Sequence, residues 1–338
     1  MRFLRDNGSL SNDLALVVDQ MGGMTINAFR ERSIMRSLTK VIPYSKGVTY
    51  QFPATWKVTS NYHTPGQQLT GQQINDDFYP VSLESKFITA DFSIHDIDPL
   101  IAQFDVQNEY AQQLGLSLAN TFDKQLILDL IIASRQTANT PFPGGGYDGN
   151  GTAYVGADLD NTTASTRCEA FLTMLQDVGT RWRTIDVPVN QWVVIVEPHM
   201  FQQLVNHKVN GLYQLMNTDW VGTASGANLI NPPEMLKWNN FLITWTNHGP
   251  FGHIRSGSYT NGQNYTTDTS DMPSKYKISC VDTVGVAFTP DAIGSIIASE
   301  PTLEAQRRTD YLDWVFVSKL LKGTGPIRPY CAIELKRS

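Results

Sequence analysis

Residues 46–96, KGVTYQFPATWKVTSNYHTPGQQLTGQQINDDFYPVSLESKFITADFSIHD, constrain the fold of this chain more than any other stretch. Both ends alternate with period two: Val48, Tyr50 and Phe52 share one face of the first arm, and Ile88, Ala90, Phe92 and Ile94 one face of the second. The middle, from Asn61 to Pro80, is turn and loop chemistry, with Pro65-Gly66, Gly71, Asn75-Asp76-Asp77 and Pro80. The pattern predicts a long hairpin whose two arms pair with each other and whose tip buries almost nothing. An isolated two-stranded ribbon is marginal in water, because its edges are unpaired and it covers little apolar area. Such a hairpin either ends in a disordered tip or lies on a partner.

The rest of the chain is that of a globular protein. Its 338 residues provide about two domains' worth of core. With 17% charged and 41% apolar residues, it is neither a disordered nor a membrane-spanning composition. The longest apolar candidate, LILDLIIA, is interrupted by Asp129, and the N-terminus lacks the order of regions of a signal peptide, so folding in a cytoplasm is expected. Cys168, Cys280 and Cys331 are far apart and without CxxC spacing, which predicts reduced structural thiols. A formal net charge of −6 argues against a broad basic surface for nucleic acid. One local exception, Arg30, Arg32, Arg36, Lys40 and Lys46, precedes the hairpin and reads first as a solvated face, next as a seat for an acidic protein surface and only third as a nucleic-acid contact.

After the hairpin, Leu100, Ile101, Phe104, Tyr110, Leu114, Leu118, Phe122, Leu126 and Leu130 recur at three- and four-residue spacing behind Asp98-Pro99. They predict an amphipathic helix of about 30 residues, about 45 Å long. Asp98, Asp105 and Glu109, with Asp96, Asp123 and Asp129, give it an acidic side that suits the basic stretch, within or between subunits. The Gly-rich tract near 141–160 reads as a linker. Beyond it, RCEAFLTMLQDVGTRW and PHMFQQLVNH read as helices, QWVVIVEP and NFLITWTN as strands, in an α+β unit over 160–300. The end of the chain carries an amphipathic or strand-like run, a Gly-x-Gly-Pro turn at 323–326, and a strand with Cys331, Ile333 and Leu335 on one face.

Catalytic chemistry is not signalled. Gly144 to Gly149 match GxGxxG but lack the strand before and the helix after that a dinucleotide site needs. The six histidines form no HxH or HExxH pair, and there is no G-x-S-x-G elbow. The seven tryptophans read as core or interface anchors, with carbohydrate stacking as the rival. No catalytic residue, cofactor or metal is expected.

The order of parts resembles the major capsid protein of tailed double-stranded DNA bacteriophages, of the Hong Kong 97 type, and most closely those of short-tailed phages. IMRSLTK followed by GVTYQFPATWKVTSNYHTPGQQL is similar to the family's arm-to-loop segment, with its tip at Pro65, Gly66 and Leu69. HDIDPLIAQFDVQNEYAQQLG resembles the opening of its helix, and LEAQRR at 303–308 with GTGPIRP at 323–329 resembles its C-terminal signature. The resemblance implies an α+β fold with an N-terminal arm (1–45), an extended β-hairpin loop (46–96) and a spine helix of the peripheral domain (97–140). A linker (141–160), an axial domain (160–300) and a return to the peripheral domain (301–338) complete it.

It also implies a shell protein that closes as hexamers and pentamers around packaged DNA in the virion, assembled in the host cytoplasm. The loop residues expected at subunit interfaces are Trp56, Asn61, Tyr62, Pro65, Gly66, Gln67 and Leu69; from the arm come Arg30, Arg32, Arg36, Lys40 and Lys46. Asp98, Asp105 and Glu109 are their expected partners on the spine. Further partners are a separate scaffolding protein, expected because about 45 residues precede the loop, a portal protein and a decoration protein, with DNA met only non-specifically and no membrane. The alternatives are an encapsulin-like compartment, a carbohydrate-active enzyme and a minor structural or receptor-binding virion protein.

Overall fold

The apolar run Trp192–Val196 (β6) is buried on both faces, so it needs neighbours on both edges and cover above and below. The computed structural model supplies them. It describes residues 10–44, 46–55, 60, 62–68, 71, 76–95, 106–136, 154–156, 159, 163–185, 187, 192–209, 212–213, 235–255, 258–268 and 272–337.

Strand β6 lies in a six-stranded sheet between β10 (Phe241–Trp245), which runs parallel to it, and β13 (Thr283–Phe288), which runs antiparallel. Outside these lie β9 (Met235–Trp238) on one side, and β16 (Ala332–Arg337) then β5 (Tyr154–Gly156) on the other. Helix α4 (Ala164–Thr184) buries Cys168, Phe171, Leu172, Leu175, Val178 and Trp182, the three-and-four spacing of one helical stripe. Trp182 meets Trp192 and Phe241 at ring-centroid distances of 5.3 and 5.8 Å, and its indole N–H donates to the Tyr330 carbonyl at 3.2 Å. Helix α5 (Pro198–Asn206) starts at Glu197, whose carboxylate accepts from the amides of His199 and Met200 at 2.8 and 3.2 Å. Two short antiparallel pairs, β7 (Lys208–Val209) with β8 (Leu212–Tyr213) and β11 (His253–Arg255) with β12 (Ser258–Thr260), complete this part of the chain among the described residues. The helices and strands expected over 160–300 are therefore present.

The long helix α3 (Val106–Ser134) has 29 residues. Leu114, Leu118, Phe122, Leu126 and Leu130 are buried as expected, but from Gln125 to Leu130 every residue is buried. The spine is amphipathic only in its first half. Along its length the helix packs against α1 (Leu10–Arg32) and α2 (Met35–Leu38), the six-stranded sheet and a second, four-stranded sheet.

That second sheet has the order β1 (Lys40–Pro43), β14 (Ile293–Arg308), β15 (Asp313–Pro326), β4 (Ile88–His95). Three sequence expectations change here. The two arms of the predicted hairpin are not partners: β4 pairs with β15, and β2 (Thr49–Thr55) pairs with β3 (Asp76–Ser82), from within the stretch read as loop. Period two states which face a strand buries and is silent on which strand lies beside it. Gly323 to Pro326 are not a turn but the end of β15, paired with Ile293–Ile296. Finally, the last segment does not stay apart from 160–300: β14 passes position 300 unbroken, and β16 joins the six-stranded sheet.

Candidate assembly surfaces

The β2–β3 ribbon turns Phe52, Tyr79 and Val81, with Tyr50 partly buried, onto Ile296 and Ile327. Val48, expected on that face, lies before the strand and is 69% exposed. This small apolar cluster is separate from the main core. Its seat is glycine. A Cβ on Gly294 would lie 2.7 Å from the Phe52 ring, one on Gly323 2.8 Å from Leu83 Cα, and one on Gly325 3.3 Å from Val81. Backbone bonds complete the root: Leu83 N–H donates to Val48 O at 2.8 Å and Glu84 N–H to Lys322 O at 2.9 Å. The opposite face exposes Phe78, and Pro53 and Pro80 each remove a backbone donor, a device that limits indiscriminate strand addition.

At the tip, Thr64 to Gln67 form a turn closed by Gln67 N–H to Thr64 O at 3.2 Å, with Pro65 second and Gly66 third at φ +92°. Proline then glycine at those places is the type II pattern, which needs positive φ where the glycine sits. Pro65, Gly66 and Gln67 are exposed, and Tyr62 has its whole side chain in solvent. Trp56, Asn61 and Leu69 lie outside the described residues.

Below the root is a buried polar node that no sequence pattern pointed to. The Asp129 carboxylate on α3 accepts from the hydroxyls of Tyr276, at 3.0 Å, and Thr324. Glu84, two residues past β3, accepts from Tyr276 and pairs with Lys275 at 3.0 Å. Lys275 also donates to the Thr324 carbonyl at 3.1 Å. Lys322, from β15, lies buried beside them. Burial, with the Asp129 and Glu84 charges, pushes the Tyr276 hydroxyl well above its ordinary range, so it stays a donor.

The basic stretch meets partners other than those expected. Arg30 and Arg36 share Glu300 of β14, at 2.6 and 2.7 Å, and these hydrogen bonds hold that carboxyl below its ordinary value. Lys40 lies over the Phe52 ring at 5.8 Å, while Arg32 and Lys46 are exposed. On the spine, Glu109 accepts from Gln113 of its own helix at 3.0 Å, and Asp98 and Asp105 lie outside the described residues. The arm does reach the spine, by another route. Buried Asp123 accepts from Ser33 Oγ at 2.7 Å and from the amides of Ile34 and Met35 at 3.0 and 3.3 Å, with His248 Nδ1 at 3.3 Å. Asp123 and Asp129 thus belong to the interior rather than to an acidic surface.

The chemistry of the remaining residue types is structural. The three cysteines are free and buried in the main core, which pushes Cys168 up to about 11 and Cys280 and Cys331 up to about 12. Trp182 and Trp192 are core, Trp238 and Trp314 pack partly buried against apolar clusters, and Trp245 is 38% exposed. Trp56 and Trp220 lie outside the described residues, and so does most of the tract read as a linker over 141–160; its described part is not linker, since 154–156 form β5 beside β16 and Leu159 is buried in the main core. No helix among the described residues is long and apolar enough to cross a membrane.

A profile for Gp10A-like major capsid proteins matches residues 51–336. The major capsid protein of Escherichia phage T7 is 26% identical, over 94% of this chain and 91% of the relative. That of Enterobacteria phage T3 is 22% identical, over 96% and 92%. Among solved structures, the capsid of cyanophage P-SCSP1u superposes with a TM-score of 0.65 at 24% identity, covering 90% of this chain and 88% of that one. The mature capsid of bacteriophage PhiM1 gives 0.68 at 17%, covering 90% and 87%. The fold is that of the tailed-phage capsid proteins, α+β and of the Hong Kong 97 type.

Proposed function

The chain belongs to the Gp10A-like major capsid protein family, and from that premise we propose that its copies close as hexamers and pentamers into the icosahedral shell around a phage double-stranded DNA genome. It is a structural protein of the capsid. The readings as an encapsulin-like compartment, a carbohydrate-active enzyme or a minor virion protein give way to this one, because the matching family is that of phage major capsid proteins and the tryptophans described serve mainly as packing anchors.

The observation that carries the assembly reading is the contrast within one ribbon: a root packed on a glycine seat, and a tip with Tyr62 wholly in solvent. In this reading the tip, with Tyr62, Pro65, Gly66 and Gln67, lies on a neighbouring copy of the same capsomer, where a partner surface supplies the burial that the ribbon lacks. Exposed Arg32 and Lys46 are offered to neighbours, while Arg30 and Arg36 brace the arm on β14 within the chain. A net charge of −6 suits a wall that does not adsorb the DNA inside it. A scaffolding protein guides closure, a portal protein occupies one vertex and a decoration protein sits outside.

Electron microscopy of the protein, expressed alone and with its scaffolding protein, tests this. Uniform shells are expected from the wild type. Replacing residues 60–71 by a short Gly-Ser turn should leave folded subunits that form none. Normal shells from that variant would reject the docking role of the tip.

A further inference from the structure

Four elements meet beneath the hairpin root, α3, β15, the turn after β3 and the short 3-10 helix Ser274–Tyr276, and the charge placed between them is poorly solvated. Lys322 is 1% exposed. Among the described residues its ammonium makes one long hydrogen bond, to the Tyr276 hydroxyl at 3.4 Å, and lies 5.3 and 5.5 Å from the ring centres of Phe122 and Tyr276. The carboxylates facing it are Asp129 and Asp123 from α3 and Glu84 from the turn after β3, with Lys275 facing it as a like charge. All three carboxylates are engaged elsewhere: Asp129 by Tyr276 and Thr324, Glu84 by Tyr276 and Lys275, Asp123 by the arm and His248. An ammonium that loses its water and donates one long hydrogen bond in return is a cost built into the closed fold. Above this node the ribbon rests on the glycines Gly294, Gly323 and Gly325 and on only two buried apolar side chains of the seat, Ile296 and Ile327, and its apolar cluster is separate from the main core.

We infer that this node is a loaded latch on the hairpin: closed, it holds Glu84 against the spine helix and β15; open, it returns Lys322 to water and lets the root lift while the main core stays folded. The device rests on the reading that the hairpin meets a neighbouring copy, since the angle of the ribbon is what a latch at its root controls.

Burial sets the pH dependence. It pushes Lys322 down to about 8 in the closed node, against the opposing pull of Glu84 and Asp129, whereas a hydrated lysine keeps its ordinary value of 10.5. Opening therefore takes up a proton between those values. The closed state gains on the open one as pH rises from 8 towards 10.5, and the latch is weakest below about 8.

Hydrogen exchange on the full-length unassembled subunit at neutral pH tests the latch. The root strands, residues 49–55 and 76–84, are compared with core strand β6, residues 192–196. Lys322→Met removes the trapped charge and keeps the stem, and should raise protection at the root about fivefold with β6 unchanged. Glu84→Gln leaves the two lysines with one carboxylate fewer, and should lower root protection about fivefold, again with β6 unchanged. If both variants shift root and β6 together, or if Lys322→Met lowers root protection, the node is ordinary packing and the latch is wrong. Should Lys322→Met fail to fold, Glu84→Gln alone decides: a loss confined to the root supports the latch, and no loss overturns it. Shells formed by the tip-replaced variant would refute the docking role of the hairpin and leave these exchange results standing.

Discussion

Strands β6 and β13 lie side by side and are buried along their whole length, whereas β2 and β3, among the described residues, pair only with each other and bury one face. The first pair is apolar on both faces and completed by its own chain. The ribbon is apolar on the side that meets Ile296 and Ile327, and beyond its root the described residues 62–68 are exposed. One region carries stability that belongs to the subunit; the other leaves exposed the surface that the proposed docking on a neighbouring copy would cover. The two also differ in the glycines they use. A Cβ on Gly179 of α4 would lie 3.2 and 3.4 Å from the Phe241 and Trp192 rings, so its absence lets a core close tightly, while Gly294, Gly323 and Gly325 flatten a seat.

The strongest test of this division is Trp182→Ala. It empties the centre of the aromatic group with Trp192 and Phe241, and should cost about 3–5 kcal/mol in denaturant titration. Because all three cysteines lie in that main core, their labelling by a thiol reagent should accelerate in the same variant, from a wild type in which burial keeps them protonated and unreactive. Next comes Gly323→Ala, whose new methyl meets the backbone of Leu83. A cost of about 1–3 kcal/mol is expected, seen as faster protease cleavage between β2 and β4 with thiol labelling unchanged. Thiol labelling that rose in step would erase the distinction between root and core.

Smaller effects sharpen the picture at the edges. Arg36→Ala removes one arm of the pair with Glu300, whose partners are 27% and 37% exposed, so less than about 1 kcal/mol is expected. Because that glutamate is held below its ordinary 4.5, its contribution is complete above that pH and lost as pH falls through the lower folded value. Wild type and variant should therefore converge in stability under acid, measured by thermal unfolding. Tyr62→Ser should change subunit stability by less than about 0.5 kcal/mol, since the side chain is wholly exposed, yet reduce the yield of shells counted by electron microscopy. A stability loss of a kilocalorie or more would place Tyr62 inside the subunit's own packing.

Much of the core is legible in the order of residues alone. The helices at 164–184 and 198–206 and the strands at 192–196 and 241–245 announce themselves by period, by Pro198 behind a capping Glu197, and by apolar runs of strand length. The motifs at both ends of the chain point to the same family that the matching profile names. Less legible are the interior charges. Asp123 and Asp129 look, in sequence, like further members of an acidic helix face, and Lys322 is one lysine in SKLLKGTGP. Nothing local distinguishes a solvated carboxylate from one that accepts backbone amides of a segment some ninety residues away.

Local chemistry settles where helices and strands lie, which of their faces seek burial, that the thiols are structural, and that one stretch has a polar tip with nothing to bury; all of this the sequence carries unaided. Which strand lies beside which was decided only in three dimensions. Strand β4 left the arm with which it seemed to belong and took β15, and a Gly-x-Gly-Pro run became a strand end because the hairpin root had to approach its backbone. Period and propensity act over a few residues, but pairing, close approach and the burial of charge depend on groups brought together from distant parts of the chain.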